Sequence, residues 1–244
     1  MADTIETKRD WRHHWSAVGQ RVGQEDFFHQ VERTIAGRAI DPLQIDLVVD
    51  AIRTELGLEP TDTLLDLCCG NGLVTIRLSH ACQRIVGVDF STELIEVARK
   101  HHSSDKITYL YGSATEVTPT QLGGIRPSKI VMCVGLQYFS EQNLGDLMRA
   151  IGGLTQNSVP IYFTDVPDVD HLYDFYDTPE RRADYERRKA VGTEAMGTWW
   201  SARRLDEIMR SFGYSAEIQA QDPRRFGAHY RFDLLATPID DKLG

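Results

Sequence analysis

Residues 64–72 read LLDLCCGNG and bring together the residue types closest to chemistry: the carboxylate Asp66, the adjacent thiols Cys68 and Cys69, and two glycines, Gly70 and Gly72, around Asn71. Paired thiols suit a metal or redox site, whereas an apolar run ending in Asp and a Gly-x-Gly turn suits a nucleotide. Spacing disfavours the thiols. The four cysteines, Cys68, Cys69, Cys82 and Cys133, form no Cys-x-x-Cys and have no His at zinc-ligand spacing. Adjacent cysteines rarely reach disulfide geometry, so buried reduced thiols are expected. The glycines remain. At a strand-to-helix turn a residue without Cβ lets backbone approach a ligand, and the helix start offers unpaired N–H groups. Twenty-three residues beyond Asp66 (89 − 66) a second apolar run ends in Asp89, placed to accept hydrogen bonds from ribose hydroxyls. A dinucleotide fingerprint would carry a third glycine three residues after Gly72. Thr75 stands there, which favours an adenine nucleoside over a pyrophosphate.

The elements that must position these groups are legible in the periodicity. Asp41 and Pro42 start a helix whose Ile45, Val48, Val49, Ile52 and Leu56 share one face. Near-continuous apolar runs at 63–68, 84–89, 106–112, 129–134 and 160–165 read as strands buried on both faces of a parallel sheet. Helices are expected at 72–82, from Ser91, from Ser140 to the Gly152-Gly153 pair, and from Ser201 to Gly213. Residues 214–221 and 229–236 alternate at period two and are expected to pair antiparallel. The fold class is therefore α/β, a doubly wound sheet with helices on both faces and an antiparallel C-terminal hairpin. Residues 1–40 are expected to form an N-terminal helical cap, with Trp11 and Trp15 packed in the core or closed over the cofactor. Residues 41–244 are expected to form the main domain, with a substrate lid inserted at about 166–200.

Four segments in order, LLDLCCGNG, VGVDFS (86–91), YGSA (111–114) and IVMCVGLQYF (130–139), resemble the ligand-binding motifs of class I S-adenosylmethionine-dependent methyltransferases. The resemblance covers about residues 41–165. It implies a Rossmann-like seven-stranded sheet and S-adenosyl-L-methionine as cofactor. By position it implies that Asp66, Cys68 and the Gly70-Asn71-Gly72 turn face the methionine portion, that Asp89 takes the ribose with Ser91 beside it, and that Phe90 takes the adenine face. Ser113 and Ala114 would meet the adenine edge, and Val134 to Gln137 the amino group and sulfonium. Cys68 stands where many members have glycine. Ser113 stands where many have an acid, which shifts adenine recognition toward backbone groups.

Methyl transfer from a sulfonium needs an oriented acceptor lone pair and, for a hydroxyl, a base. Such groups are expected beyond strands four and five or in the insertion. His171 is the first choice of base because its pKa suits neutral pH, with Asp165 second. Tyr138, Tyr173, Trp199, Trp200 and Arg231 are the candidate substrate contacts, the aromatics for a pocket wall or a sugar ring and Arg231 for an anion. Asp165, Asp168 and Asp170 could suggest magnesium, but no further acid or amide completes an octahedral set, so no metal is expected.

A net charge of −9 over 244 residues argues against a nucleic-acid partner. No apolar run approaches a membrane span, and the first twenty residues lack a signal-peptide core, so a cytoplasmic protein, monomer or homodimer, is expected. The expected function is transfer of a methyl group to a small molecule, with a sugar or glycan-precursor hydroxyl as the finer suggestion. The alternatives are an NAD-dependent oxidoreductase on a similar fold and a non-catalytic cofactor-binding protein.

Overall fold

The computed structural model describes residues 3–6, 9–21, 23, 25–155 and 158–239, with the side chains of 19–21 not described. The N-terminal part contains α1 (Trp11–Arg21), the single turn α2 (Phe27–Gln30) and a two-stranded ribbon, β1 (Thr34–Ile35) and β2 (Arg38–Ala39). The expected helical cap is thus part helix and part ribbon. Next come α3 (Pro42–Glu55), β3 (Thr63–Leu67), α4 (Thr75–Leu78), β4 (Arg84–Asp89), α5 (Thr92–His101), β5 (Ile107–Tyr111) and β6 (Lys129–Cys133). A short 3₁₀ turn (Gly135–Tyr138) leads to α6 (Glu141–Leu154) and β7 (Ile161–Pro167). The insertion carries a 3₁₀ turn (Val169–His171), α7 (Leu172–Phe175) and α8 (Pro179–Ala190), and α9 (Ala202–Ser211), β8 (Tyr214–Ala220) and β9 (Arg231–Pro238) close the chain.

The sheet has seven strands in the order β5-β4-β3-β6-β7-β9-β8. The five strands β3 to β7 are parallel, while β9 runs antiparallel between β7 and β8. Period-two alternation explains why runs without polar breaks form strands. Leu65, Leu67, Ile130, Met132, Ile161 and Phe163 pack on one face with Leu144, Leu147, Leu205 and Met209 of α6 and α9. Leu64, Val131 and Tyr162 point to the other face, against Val48 and Ile52 of α3.

Caps agree with the sequence: Asp41, Ser91, Ser140 and Ser201 each accept a backbone N–H of the following turn. Two helix boundaries differ. The helix expected at 72–82 is only the turn of α4, and α6 continues through Gly152 and Gly153 to Leu154 because Ile151 and Leu154 are both buried. The insertion at 166–200 has a core of its own, in which Val169, Leu172, Tyr176, Tyr185 and Trp199 pack with Tyr230.

Strand order reverses between β4-β3 and β6-β7, and the crevice beyond the carboxyl ends of β3 and β6 is where a sheet of this kind holds ligands.

Candidate functional site

A cavity of about 390 Å³ opens at that crevice, within the size range of small-molecule sites. Its floor is the turn after β3, where Cys68, Gly70 and Gly72 all take positive φ (59°, 55° and 78°). Gly72 is obligatory: a Cβ there would lie 2.4 Å from the Tyr109 hydroxyl. That hydroxyl donates to His102 O at 2.8 Å, so Gly72 shapes the turn from behind and does not itself line the cavity. Asn71 Nδ2 donates to Phe27 O and to Gln30 Oε1, both at 2.8 Å, tying the N-terminal segment to the glycine turn.

Asp89 ends β4 on the cavity wall. Its carboxylate accepts the Gly70 N–H at 2.9 Å through one oxygen and the Ser91 N–H at 2.9 Å through the other. Each oxygen keeps a second lone-pair direction for a ligand hydroxyl. Burial raises the pKa of Asp89 against these backbone donors. Asp66, on the same wall, accepts only the Thr75 hydroxyl among the described residues, at 2.6 Å, and burial raises its pKa to about 7. Burial likewise pushes the Cys68 and Cys69 thiols well above their ordinary value, so they line the cavity as small neutral groups.

Phe90, Ser113, Ala114 and Val134 also line this cavity, as do Trp11 and Trp15 of α1. The two tryptophans pack on Tyr138 at 4.6 and 5.6 Å, and the Arg12 guanidinium lies 5.5 Å from the Phe90 ring centroid. Ser91 is the α5 cap and orients Asp89 without lining the cavity.

A second cavity, about 840 Å³, lies between the insertion and the N-terminal ribbon. Val31, Arg33, Val134 and Tyr138 line both cavities and form the seam between them. Gln137 lies in the second cavity and not the first. It is 5% exposed, and its Oε1 has no hydrogen-bond partner among the described residues. Arg231, Phe175, Tyr176 and Tyr230 line this cavity too.

Several expected chemical residues lie elsewhere. Asp165 is held by Arg33 at 2.9 Å and Arg225 at 2.7 Å, and its N–H donates to Asp233. Burial alone would raise its pKa, but Arg225, Arg33 and Arg231 outweigh burial and hold it well below the usual carboxylate range. Its low proton affinity makes it a poor base. Arg225 also bridges to Asp233 at 2.6 Å, and Tyr162, Thr164 and Gln221 donate to the Asp233 carboxylate, so the cluster is structural.

His171 sits outside both cavities, its side chain 52% exposed and bonded to Asp174 at 2.6 Å, which raises its pKa. Tyr173 is exposed and lines neither cavity. Trp199 and Trp200 are fully buried, and the Trp200 indole donates to Leu136 O at 3.0 Å, so the pair anchors the insertion to the sheet. Sequence reasoning missed Arg33, Arg225 and the cavity-lining Arg12. Their partners are remote along the chain, and an arginine in a loop carries no periodic signal.

Among the described residues no group of His, Cys, Asp or Glu is arranged to hold a metal, and no helix is long and apolar enough to cross a membrane.

Residues 64–157 match a family model described as a methyltransferase domain. The matched segment runs from β3 through α6 and so contains the glycine turn and Asp89. The chain is similar over 51 residues, at 43% identity, to 2-phytyl-1,4-naphtoquinone methyltransferase of Nostoc sp., with 20% of this chain and 22% of that protein covered. Over 67 residues it is 33% identical to the mitochondrial ribosomal RNA small subunit methyltransferase of Arabidopsis thaliana, covering 26% of this chain and 18% of the relative. The chain thus spans about a fifth of the length of these relatives. Among solved structures, magnesium protoporphyrin IX methyltransferase of Synechocystis with bound SAH superposes with a TM-score of 0.59 at 14% identity. That match covers 93% of this chain and 94% of the other, showing that the fold extends well beyond the methyltransferase-domain match.

Proposed function

We propose that this protein is an S-adenosylmethionine-dependent methyltransferase acting on a small organic acceptor. The supporting observation is the Asp89 carboxylate, oriented by the Gly70 and Ser91 N–H groups, in a cavity joined by a seam to a second, larger one. The first cavity fits the cofactor. Asp89 has free lone-pair directions for ribose hydroxyls, Phe90 offers a ring face, and Ser113 and Ala114 an edge. Asp66 offers a carboxylate toward a cationic portion. When bound, the cofactor supplies an electrophilic methyl carbon on a sulfonium.

The protein's part is positioning. The acceptor occupies the second cavity and presents its lone pair across the seam at Val134 and Tyr138, with α1 closing off water. Burial raises the Tyr138 pKa, so the phenol stays protonated and acts as a hydrogen-bond donor. None of the four seam residues is a base, which favours acceptors that need none: oxyanions, thiolates or neutral amines.

The charge of −9 favours a small molecule over RNA. A sugar hydroxyl loses its expected stacking surface because Trp199 and Trp200 are buried, and Phe175, Tyr176 and Tyr230 would have to serve instead. Four free thiols fit a reducing compartment such as the cytoplasm. Calorimetry with S-adenosylhomocysteine and with NAD tests the reading. Binding of the former alone supports it, and binding of NAD alone rejects it in favour of an oxidoreductase.

A further inference from the structure

We propose that the second cavity takes an acceptor bearing an oxyanion, carboxylate or phosphoryl, and that Arg231 with Arg33 anchors that group beside the seam. The inference rests on the methyltransferase reading above and names the substrate class of the same site.

Three guanidiniums, Arg33, Arg225 and Arg231, converge on Asp165, and Asp233 is the second carboxylate of this cluster among the described residues. Within this cluster three cations face two anions, and Arg33 and Arg231 are its members that line the cavity, whose outer rim also carries Asp174, Asp177, Glu180 and Asp184. Arg225 is buried between Asp165 and Asp233, and Arg33 gives one nitrogen to Asp165 and the other to Cys133 Sγ at 3.1 Å. Arg231 lines the cavity with no ion pair among the described residues. Its Nη1 donates to the Asp165 carbonyl, and its Nη2 faces the Met196 thioether at 2.9 Å, a weak acceptor that a ligand oxygen would replace.

Glu32, Arg231 and Arg33 all act on the Tyr138 hydroxyl, Glu32 the most strongly of the three. Glu32, the carboxylate of the same wall, is turned to His14 at 3.1 Å. The acids of the outer rim are partly neutralised in place, with Arg181 on Asp177 and Arg188 on Asp184.

An independent observation points to a ligand as well. The Gln137 Oε1, buried in this cavity without a partner among the described residues, is an acceptor that a hydroxyl or amine of the bound molecule would satisfy. The aromatic wall of Phe175, Tyr176 and Tyr230 suits an apolar body.

The test uses the full chain saturated with S-adenosylhomocysteine and titrated calorimetrically with benzoate, phenylphosphonate and benzamide. At least one acid should bind about tenfold or more tightly than the amide, the tighter acid identifying the group. Arg231→Gln should abolish that preference while keeping S-adenosylhomocysteine affinity. If Arg231→Gln loses that affinity too, Arg231→Lys takes its place and should narrow the preference by removing the planar fork. Equal binding of acid and amide, no binding of either acid at millimolar concentration, or an undiminished preference in the Arg231 variant would each overturn the proposal. Failure of S-adenosylhomocysteine to bind the unaltered protein would instead strike the methyltransferase reading, so the two failures are distinct.

Discussion

Asp66→Asn should make the ligand-free protein more stable at pH 8 and leave it nearly unchanged at pH 4. Asp66 is 2% exposed near the end of a buried strand and, among the described residues, accepts only the Thr75 hydroxyl. Burial raises its pKa from 3.8 to about 7 against that single hydrogen bond, and neighbouring Asp89 raises it further. Below pH 3.8 the carboxyl is protonated in both the folded and unfolded chains and contributes nothing to pH dependence. Between 3.8 and about 7 the folded protein holds a proton that the unfolded chain has released, so stability falls as pH rises. Above about 7 the full penalty is present, and the interval from 3.8 corresponds to at most about 4 kcal/mol.

Asparagine keeps the shape and can still accept from Thr75, so it removes the penalty and little else. Urea unfolding of both proteins at pH 4, 6 and 8 without ligand measures the difference from the midpoints. The gain should grow with pH and level off above 7, while affinity for cationic S-adenosylmethionine falls. A gain independent of pH, or a loss at pH 8, would refute the argument that Asp66 is an uncompensated carboxylate kept for its ligand.

Asp89→Ala removes two charge-assisted backbone bonds and the proposed ribose contact. S-adenosylhomocysteine affinity should fall by about a hundredfold, read by calorimetry, while a loss under about threefold would dismiss the ribose role. His171→Ala should leave the single-turnover rate unchanged, because the ring is exposed, lies outside both cavities and is engaged by Asp174. A tenfold fall would restore the base expected from sequence. Arg225→Met takes from buried Asp233 its arginine partner, while Asp165 keeps Arg33, and should cost about 3–5 kcal/mol of stability, measured by urea unfolding.

The sheet was legible because each strand carries its own evidence: unbroken apolar runs whose alternate residues fill two different cores. The glycine turn and Asp89 were legible for a similar reason, since the twenty-three-residue interval is fixed by one helix and one strand. The chemistry of the acceptor side was not. His171 was chosen on its pKa and its place after strand five, but a local turn carries the ring outward to Asp174. Trp199 and Trp200 show the same limit: their size promised a wall, and size drew them into the core. The Arg33 to Asp165 pair spans 132 residues, a separation no local pattern encodes.

What connects the legible and illegible halves is backbone strain at the sheet's carboxyl edge. Cys68 and Val134 follow the adjacent strands β3 and β6, Asp165 lies at the register shift within neighbouring β7, and each holds a positive φ (59°, 63° and 65°) that a non-glycine residue adopts at a cost of about 1–3 kcal/mol. For β-branched Val134 the conformation is especially unfavourable. Strain repeated on three neighbouring strands persists only where surrounding contacts hold it. Those contacts are visible: the Val134 N–H donates to Thr164 O and the Asp165 N–H to Asp233. The buried ion cluster therefore does more than fill the interior. By pinning β7 at Asp165 it helps keep the backbone beside the seam in the turned form that brings Val134 and Tyr138 between the two cavities.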